Sequence, residues 1–258
     1  MLIINIIQKG LVERLQSLRR YLKKDFSSKL SIDSTGKACH SPCICHCLSH
    51  ALNDCNFSHQ DICSDCKDFF LFFELLRKNL SSEHYDILES HEKHLVYFLA
   101  HHIRKTYLNF QLKTNLQEID QDGALIIVDF KMRILPQSSR ETKTAFFGKR
   151  GWTLHSVLVY TKNDGDATLN IEAFDHWSND TKQDAWFTAS SLHTVLENLE
   201  NRPKWVTIIS DNGPHYHNSE LMIILSHWHD WYGIEIRKWM FLEPGEAKTS
   251  IDSHHAQV

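Results

Sequence analysis

One stretch of the chain combines an apolar strand pattern with an acid at its end. Trp205–Asn218 reads WVTIISDNGPHYHN, in which the apolar run Val206–Ile209 leads to Asp211 and then to Asn212–Gly213–Pro214. A short continuous apolar run bounded by turn residues is typical of a strand buried on both faces. Asp-Asn-Gly-Pro favours a tight turn. The stretch therefore predicts a carboxylate at the rim of a sheet, or an acid that serves only the turn.

The second half of the chain supplies the other strands of such a sheet. Strand patterns occupy residues 124–130, 152–160, 168–175, 205–210 and 234–241. Helical patterns occupy about 181–198 and 219–231, and a last one starts near Thr249. Asn163–Asp164–Gly165 predicts a turn between the second and third strands, which suits an antiparallel pair. Three leading antiparallel strands followed by α/β units predict an α/β fold with a mixed sheet.

This order resembles that of the ribonuclease H-like fold, in which the first strand is central and the fourth lies beside it. The resemblance implies that Asp129, near the end of the first strand, lies next to Asp211. Two adjacent carboxylates repel each other unless a cation lies between them, and Mg²⁺ and Mn²⁺ prefer such oxygen ligands. The alternative for Asp129 is an edge acid that is hydrogen-bonded to backbone.

Two sequence blocks resemble those of the ribonuclease H-like transposases and retroviral-type integrases. Ile126–Phe130 is similar to their first acidic block, and Ile209–Pro214 is similar to the second. The blocks Arg140–Thr142, Asp184 and Ile251–Ala256 resemble eukaryotic transposon-derived proteins with an N-terminal Cys/His cluster. The resemblance covers the second half of the chain well and the Cys/His cluster loosely.

The resemblance implies a metal-dependent DNA strand transferase or nuclease, which uses two Mg²⁺ or Mn²⁺ ions for phosphoryl transfer. It implies a third catalytic, metal-binding acid on the last helix. We expect Asp252 to join Asp129 and Asp211 in this role, with Glu246 as the alternative. Thr249 and Asp252 also fit a helix-capping pattern, in which the acid only accepts backbone N–H groups. His215 is expected to solvate the turn after Asp211.

All seven cysteines lie between Cys39 and Cys66. Four histidines lie among them: His40, His46, His50 and His59. Such clustering favours a metal site in a reducing compartment over a disulfide framework spread through a secreted fold. The alternative is a group of buried cysteines without metal.

Pairs of cysteines at short spacing favour a structural zinc site within this cluster. Cys63–Ser64–Asp65–Cys66 has the spacing of a zinc knuckle. We expect Cys43 and Cys47 to complete the site, with Cys55 and His59 as the alternative pair. All four ligands would then come from the protein.

Helical patterns surround the cluster. Apolar residues recur at helical spacing through residues 1–24, and a helix without Gly or Pro is expected over about 82–112. We therefore predict two domains: a helical region with the zinc cluster over residues 1–120, and the ribonuclease H-like core over 121–258. Because the sequence stops soon after the last helix begins, we expect that core to be truncated at its C-terminus.

The predicted partner is DNA. Residues 131–150 carry six basic residues against the single acid Glu141, although the whole chain has a net charge of −4. A solvated loop is one interpretation, and contact with a DNA backbone is the other. The residues expected to bind DNA are Arg140, Lys143, Lys149 and Arg150.

The N-terminal run MLIINIIQKG is too short for a membrane span and lacks the basic start of a signal peptide. We expect an intracellular protein, nuclear if it acts on DNA, without a membrane partner and forming a homo-oligomer. Two functions remain open. One is the transferase or nuclease, active or inactivated by truncation. The other is a zinc-stabilised protein that binds nucleic acid or protein and performs no chemistry.

Overall fold

The computed structural model describes residues 2–33, 35–135, 139–162, 168–242 and 250–258. The chain divides into two compact units, Met1–Thr114 and Asn115–Val258, whereas the sequence suggested a boundary at residue 120. Helices α1 (Leu2–Lys24), α2 (Leu48–Ala51), α3 (Ser64–Asn79) and most of α4 (Tyr85–Glu118) belong to the first unit. Within the described residues, no helix is long and apolar enough to cross a membrane.

The first unit has a small core built around the Cys/His segment. Phe26, Leu48 and Cys66 are fully buried and form one cluster with Leu99 and Ile103 of α4. A second cluster joins Leu18 of α1 to Phe69 and Phe72 of α3. The segment between α1 and α3 contains little regular structure. Its described residues form the 3₁₀ helix Ser27–Lys29, the one-turn helix α2 and two isolated β-bridges. Other interactions therefore have to hold this segment in place.

The second unit contains a five-stranded mixed sheet. Its strands are β1 (Gly123–Ile134), β2 (Trp152–Lys162), β3 (Leu169–Ser178), β4 (Trp205–Asp211) and β5 (Glu235–Leu242). The strand order is β3-β2-β1-β4-β5. β1, β2 and β3 are antiparallel neighbours, and β4 and β5 run parallel to β1. The predicted α/β class with a mixed sheet is confirmed. The expected turn at Asn163–Gly165 lies outside the described residues.

Helices cover both faces of this sheet. The helices are α5 (Lys143–Phe147), α6 (Ala185–Asn198), α7 (Ser219–Ser226), α8 (Trp228–Tyr232) and α9 (Ser250–His255). Ile126 and Val128 of β1 belong to one core cluster with Leu192 of α6 and Leu221 of α7. Because side chains alternate along a strand, Asp129 points to the opposite face, where α9 packs on β1 and β2.

Besides shifts of a few residues at helix ends, the structure differs from the predicted helices of the second unit in the segment over 219–231 and in the basic loop. The helix expected over 219–231 breaks at His227 into α7 and α8, and Trp228, the first residue of α8, is 2% exposed. Gly233 then ends α8 in the left-handed conformation, with φ of 69°, which glycine adopts without strain. The basic loop contains the short helix α5, which the sequence did not predict.

Candidate functional site

Strand pairing brings Asp129 and Asp211 to neighbouring positions. Ile127 of β1 lies opposite Ile209 of the parallel strand β4, and each acid follows two residues later. Residues two apart on a strand share a face, so both carboxylates lie on the same face of the sheet. They lie at the rim where β4 ends, which is the side of an α/β sheet that commonly binds ligands.

The Asp129 carboxyl is buried among like charges. Its side chain is 17% exposed. Burial, and after it the charges of Asp211 and Asp252, raise the pKa of Asp129 to about 7, well above the usual value near 4 for aspartate. All three predicted catalytic acids therefore interact electrostatically, and the site has negative charge that a cation would stabilise.

The turn after β4 fixes the position of Asp211. The Gly213 N–H donates to Asp211 Oδ1 over 2.7 Å, and His215 Nε2 lies 3.4 Å from the same oxygen. Burial favours the neutral acid, but these contacts outweigh it and lower the pKa of Asp211. A Cβ at Gly213 would lie 2.5 Å from His215 Cε1 and 2.9 Å from Asp211 Oδ1. Only glycine therefore fits at position 213 without a shift of its neighbours. Asp211 accepts a hydrogen bond within the turn and also lies on the face of the sheet that carries Asp129.

Helix α9 is attached to the sheet beside these acids. His254 Nε2 lies 2.9 Å and 3.0 Å from the two Asp175 carboxylate oxygens. The Ser156 hydroxyl donates to Asp175 from the neighbouring strand. Because Ser156 also pairs with Asp129 across β1 and β2, this attachment holds Asp252 within electrostatic reach of Asp129.

His255 approaches Asp129 directly. Its Nδ1 lies 3.6 Å from Asp129 Oδ2, and its side chain is 9% exposed. Burial and then the Lys131 charge lower the pKa of His255, so the ring is neutral at pH 7 and does not balance the acid. Its buried Nε2 has no hydrogen-bond partner among the described residues. Lys131 Nζ donates to the His255 carbonyl oxygen.

Sequence reasoning missed three of these residues: Asp175, His254 and His255. The two histidines stand in the block Ile251–Ala256, but only the sheet register shows that Asp175 faces the same side as Asp129. Glu246, the alternative third acid, lies outside the described residues. Within the described parts of the chain, Asp129, Asp211 and Asp252 do not converge to within 4.8 Å as a trio.

The basic residues expected to bind DNA, in the loop within residues 131–150, differ in their exposure and in their ion pairs. Arg140, Lys143 and Arg150 are exposed. Lys149 instead forms an ion pair with Glu141, in which the two side chains are 14% and 16% exposed. The first three residues are therefore better placed for phosphate contacts than Lys149.

The structure separates the predicted zinc ligands into two groups. Cys43, Cys63 and Cys66 lie together, but the fourth member of their group is His46 and not Cys47. The four ligand atoms lie within 4.8 Å of one another, and His46 Nε2 is 3.4 Å from Cys66 Sγ. This group could hold a zinc ion.

A local turn explains why His46 replaces Cys47. The His46 N–H donates to the Cys43 carbonyl oxygen over 3.0 Å, so that turn brings residues 43 and 46 together. Cys47 is the N-cap of α2 and lies with His40, Cys55 and His59, the group that contains the alternative pair. All seven cysteines are free thiols.

Fold and site together define a mixed α/β domain with a cluster of interacting carboxylates, preceded by a unit with Cys/His groups that could bind metal. Residues 106–258 match DUF8701, a domain of unknown function. The chain belongs to this family.

Among solved structures, the chain is similar to the crystal structure of the Mos1 strand transfer complex. The two are 12% identical with a TM-score of 0.29, over 58% of this chain and 44% of that chain. This chain thus spans less than half of the length of that relative, and a similarity this low assigns no function. No curated protein matches the chain.

Proposed function

We propose that the second unit is a ribonuclease H-like domain that transfers phosphoryl groups on DNA, with Mg²⁺ or Mn²⁺ bound by Asp129, Asp211 and Asp252. The observation that carries this proposal is the buried Asp129 carboxyl, whose pKa is raised to about 7 beside two further acids. Clusters of titratable groups with strongly shifted pKa values occur preferentially at functional sites.

The topology supports the fold assignment within this proposal. In the order β3-β2-β1-β4-β5, the central strand pairs with β2 on one side and with the parallel strand β4 on the other. This is the arrangement that the sequence resemblance implies. It explains why two acids separated by 82 positions in the sequence, Asp129 and Asp211, share one rim.

The residues fit a hard divalent cation. The three candidate ligands are carboxylates, which Mg²⁺ and Mn²⁺ prefer. Mg²⁺ usually keeps several waters among its ligands, so the three acids need not all contact one ion directly. His255, whose Nδ1 lies 3.6 Å from Asp129 Oδ2, adds a polar ring beside this acid, and its buried Nε2 has no hydrogen-bond partner among the described residues. Such an ion activates a water or hydroxyl nucleophile and stabilises the leaving oxygen.

The protein itself would position the substrate and the ligands. Exposed Arg140, Lys143 and Arg150 would contact the DNA backbone, because phosphate contacts orient a duplex without reading its sequence. His215 would hold Asp211 in place, and the Asp175–His254 contact would hold Asp252. A nuclear location and a homo-oligomeric state belong to this proposal.

The test is Mg²⁺- or Mn²⁺-dependent nicking of supercoiled DNA by the purified chain. We expect nicking that Asp129→Asn and Asp211→Asn each reduce by at least about 100-fold, as expected for loss of a group that acts in the transition state. Asp230→Asn is the matched control, because Asp230 lies on α8 with its side chain 72% exposed. Nicking that survives in both site variants would refute the assignment.

A second candidate function is a binding protein without chemistry, favoured by the Cys/His groups of the first unit. Mn²⁺ binding distinguishes the two functions. The catalytic proposal requires that the wild-type chain binds Mn²⁺ and that Asp129→Asn loses this binding. Electron paramagnetic resonance measures the bound Mn²⁺. DNA binding that is unchanged in that variant, together with no Mn²⁺ bound to the wild-type chain, would support the binding protein instead.

A further inference from the structure

We propose that the first unit binds two zinc ions at interleaved sites, and that the second site consists of His40, Cys47, Cys55 and His59. The sequence predicts one zinc site, whereas here Cys47 and the alternative pair Cys55 and His59 join His40 in a second group, apart from Cys43, His46, Cys63 and Cys66. Its four ligand atoms all lie within 4.8 Å of one another.

The distances in the second group are those of a tetrahedral zinc site. Zinc–sulfur and zinc–nitrogen bonds of about 2.3 Å and 2.0 Å place tetrahedral ligands roughly 3.3–3.8 Å apart. Cys47 Sγ and Cys55 Sγ are 3.8 Å apart, and His40 Nδ1 lies 3.4 Å and 3.7 Å from Cys55 Sγ and Cys47 Sγ. His59 Nε2 lies 3.9 Å from Cys55 Sγ. The two remaining pairs lie within 4.8 Å, so an ion fits after small adjustments of the side chains.

Neutral packing explains this arrangement less well. Two sulfurs 3.8 Å apart are far beyond the disulfide length of about 2.05 Å, so the two thiols have converged without forming a bond. The imidazoles of His40, which precedes the two cysteines in the sequence, and of His59, which follows them, complete the group. Thiolate and imidazole together are the preferred ligands of structural zinc.

The order of ligands along the chain interleaves the two groups. His40 belongs to the second group, Cys43 and His46 to the first, Cys47, Cys55 and His59 to the second, and Cys63 and Cys66 to the first. The adjacent residues His46 and Cys47 thus serve different ions. Two ions would cross-link the irregular segment before α3. A small apolar core usually needs such metal cross-links to keep a segment of this kind folded.

The two sites differ in access to solvent. Cys43, His46 and Cys66 of the first group are buried, and the Tyr21 hydroxyl covers His46 Nε2 at 3.0 Å. In the second group Cys47 is buried, whereas Cys55 and His59 are partly accessible. We therefore infer that a chelator removes the second ion first.

The test measures zinc in the full chain by plasma mass spectrometry. We expect two zinc ions per chain, and one in Cys55→Ser and in His59→Ala. Cys39→Ser is the matched control, because Cys39 belongs to neither group, and it should keep both ions. Wild-type protein that holds one zinc or none, or a Cys55→Ser variant that keeps two, would overturn the proposal.

Two further measurements guard against a variant that fails to fold. Cys55→His keeps a zinc ligand at this position and should retain both ions. Release of zinc from the wild-type chain to a colorimetric chelator should occur in two phases of equal amplitude, and the fast phase should be missing in Cys55→Ser. A single phase in the wild-type chain would contradict the difference between the sites.

Discussion

The Asp129 carboxyl links the stability of the second unit to the proposed metal site. Its side chain faces α9 rather than solvent, and the neighbouring His255 is neutral at pH 7 because burial and the Lys131 charge lower its pKa. No charge on that ring therefore offsets the acids. A buried carboxyl in this setting favours the protonated form, and a bound cation would reverse that preference.

This shift makes stability depend on pH without a divalent cation. The raised pKa of Asp129, about 7, means that the folded chain holds a proton that the unfolded chain releases near pH 4. The favourable contribution is present below pH 4 and is lost as pH rises toward 7, by up to about 1.4 kcal/mol per unit. Asp129→Asn should remove this dependence, so that the variant is more stable than the wild type at pH 7, by roughly 2–4 kcal/mol.

Urea unfolding of both chains at pH 4.5, 6 and 7.5 measures the difference. Other titrating groups cancel when the two chains are compared at each pH. Mg²⁺ at pH 7.5 should stabilise only the wild type, because the ligand is missing from the variant. A stability difference that stays constant across this pH range would contradict the raised pKa.

Single residues also show the limit of prediction from sequence. The acids at the ends of apolar runs, Asp129 and Asp211, were found because strand ends are visible in the sequence. The sequence could not show that His46 rather than Cys47 lies beside Cys43. Partners three and four residues away both fit a turn, and only the path of the backbone determines which of them reaches Cys43. Asp175 was missed because its role depends on sheet register, which has no local signal.

At the scale of elements, α9 provides one of the three acids and is attached to the sheet by side-chain contacts with β1, β2 and β3. Ile251 is buried at 1% exposure, and the Asp175–His254 contact joins the helix to β3. The order of strands and helices in the second unit could be predicted because apolar runs alternate with amphipathic segments. The attachment of a six-residue helix could not, because it depends on contacts between residues 79 positions apart.

We expect Asp175→Asn to loosen α9 without unfolding the sheet. Loss of one partly exposed hydrogen bond costs about 0.5–1 kcal/mol, so amide exchange over residues 250–258 should accelerate up to about fivefold. Glu172→Gln is the matched control, because it lies on the same strand but faces the α6 side. Hydrogen exchange with mass spectrometry measures both variants. Equal exchange in α9 in the two variants would show that the Asp175 contact does not hold the helix.

At the scale of the whole molecule, the two units are stabilised by different means. The second unit has a continuous apolar core between its sheet and α6 to α8. The first has smaller clusters around its Cys/His groups, and small cores of this kind usually need metal or disulfides. Zinc binding and folding are then coupled in the first unit.

Removing zinc should therefore unfold the first unit and leave the second folded. All seven tryptophans lie between Trp152 and Trp239, so tryptophan emission reports on the second unit alone. The first unit contains α1, α3 and most of α4, so its loss should lower the helical circular dichroism signal. We expect a strong zinc chelator to reduce that signal while the tryptophan emission maximum stays unchanged, and added zinc to restore the signal. A red shift of the emission that accompanies the loss of helix would show that the second unit depends on the first.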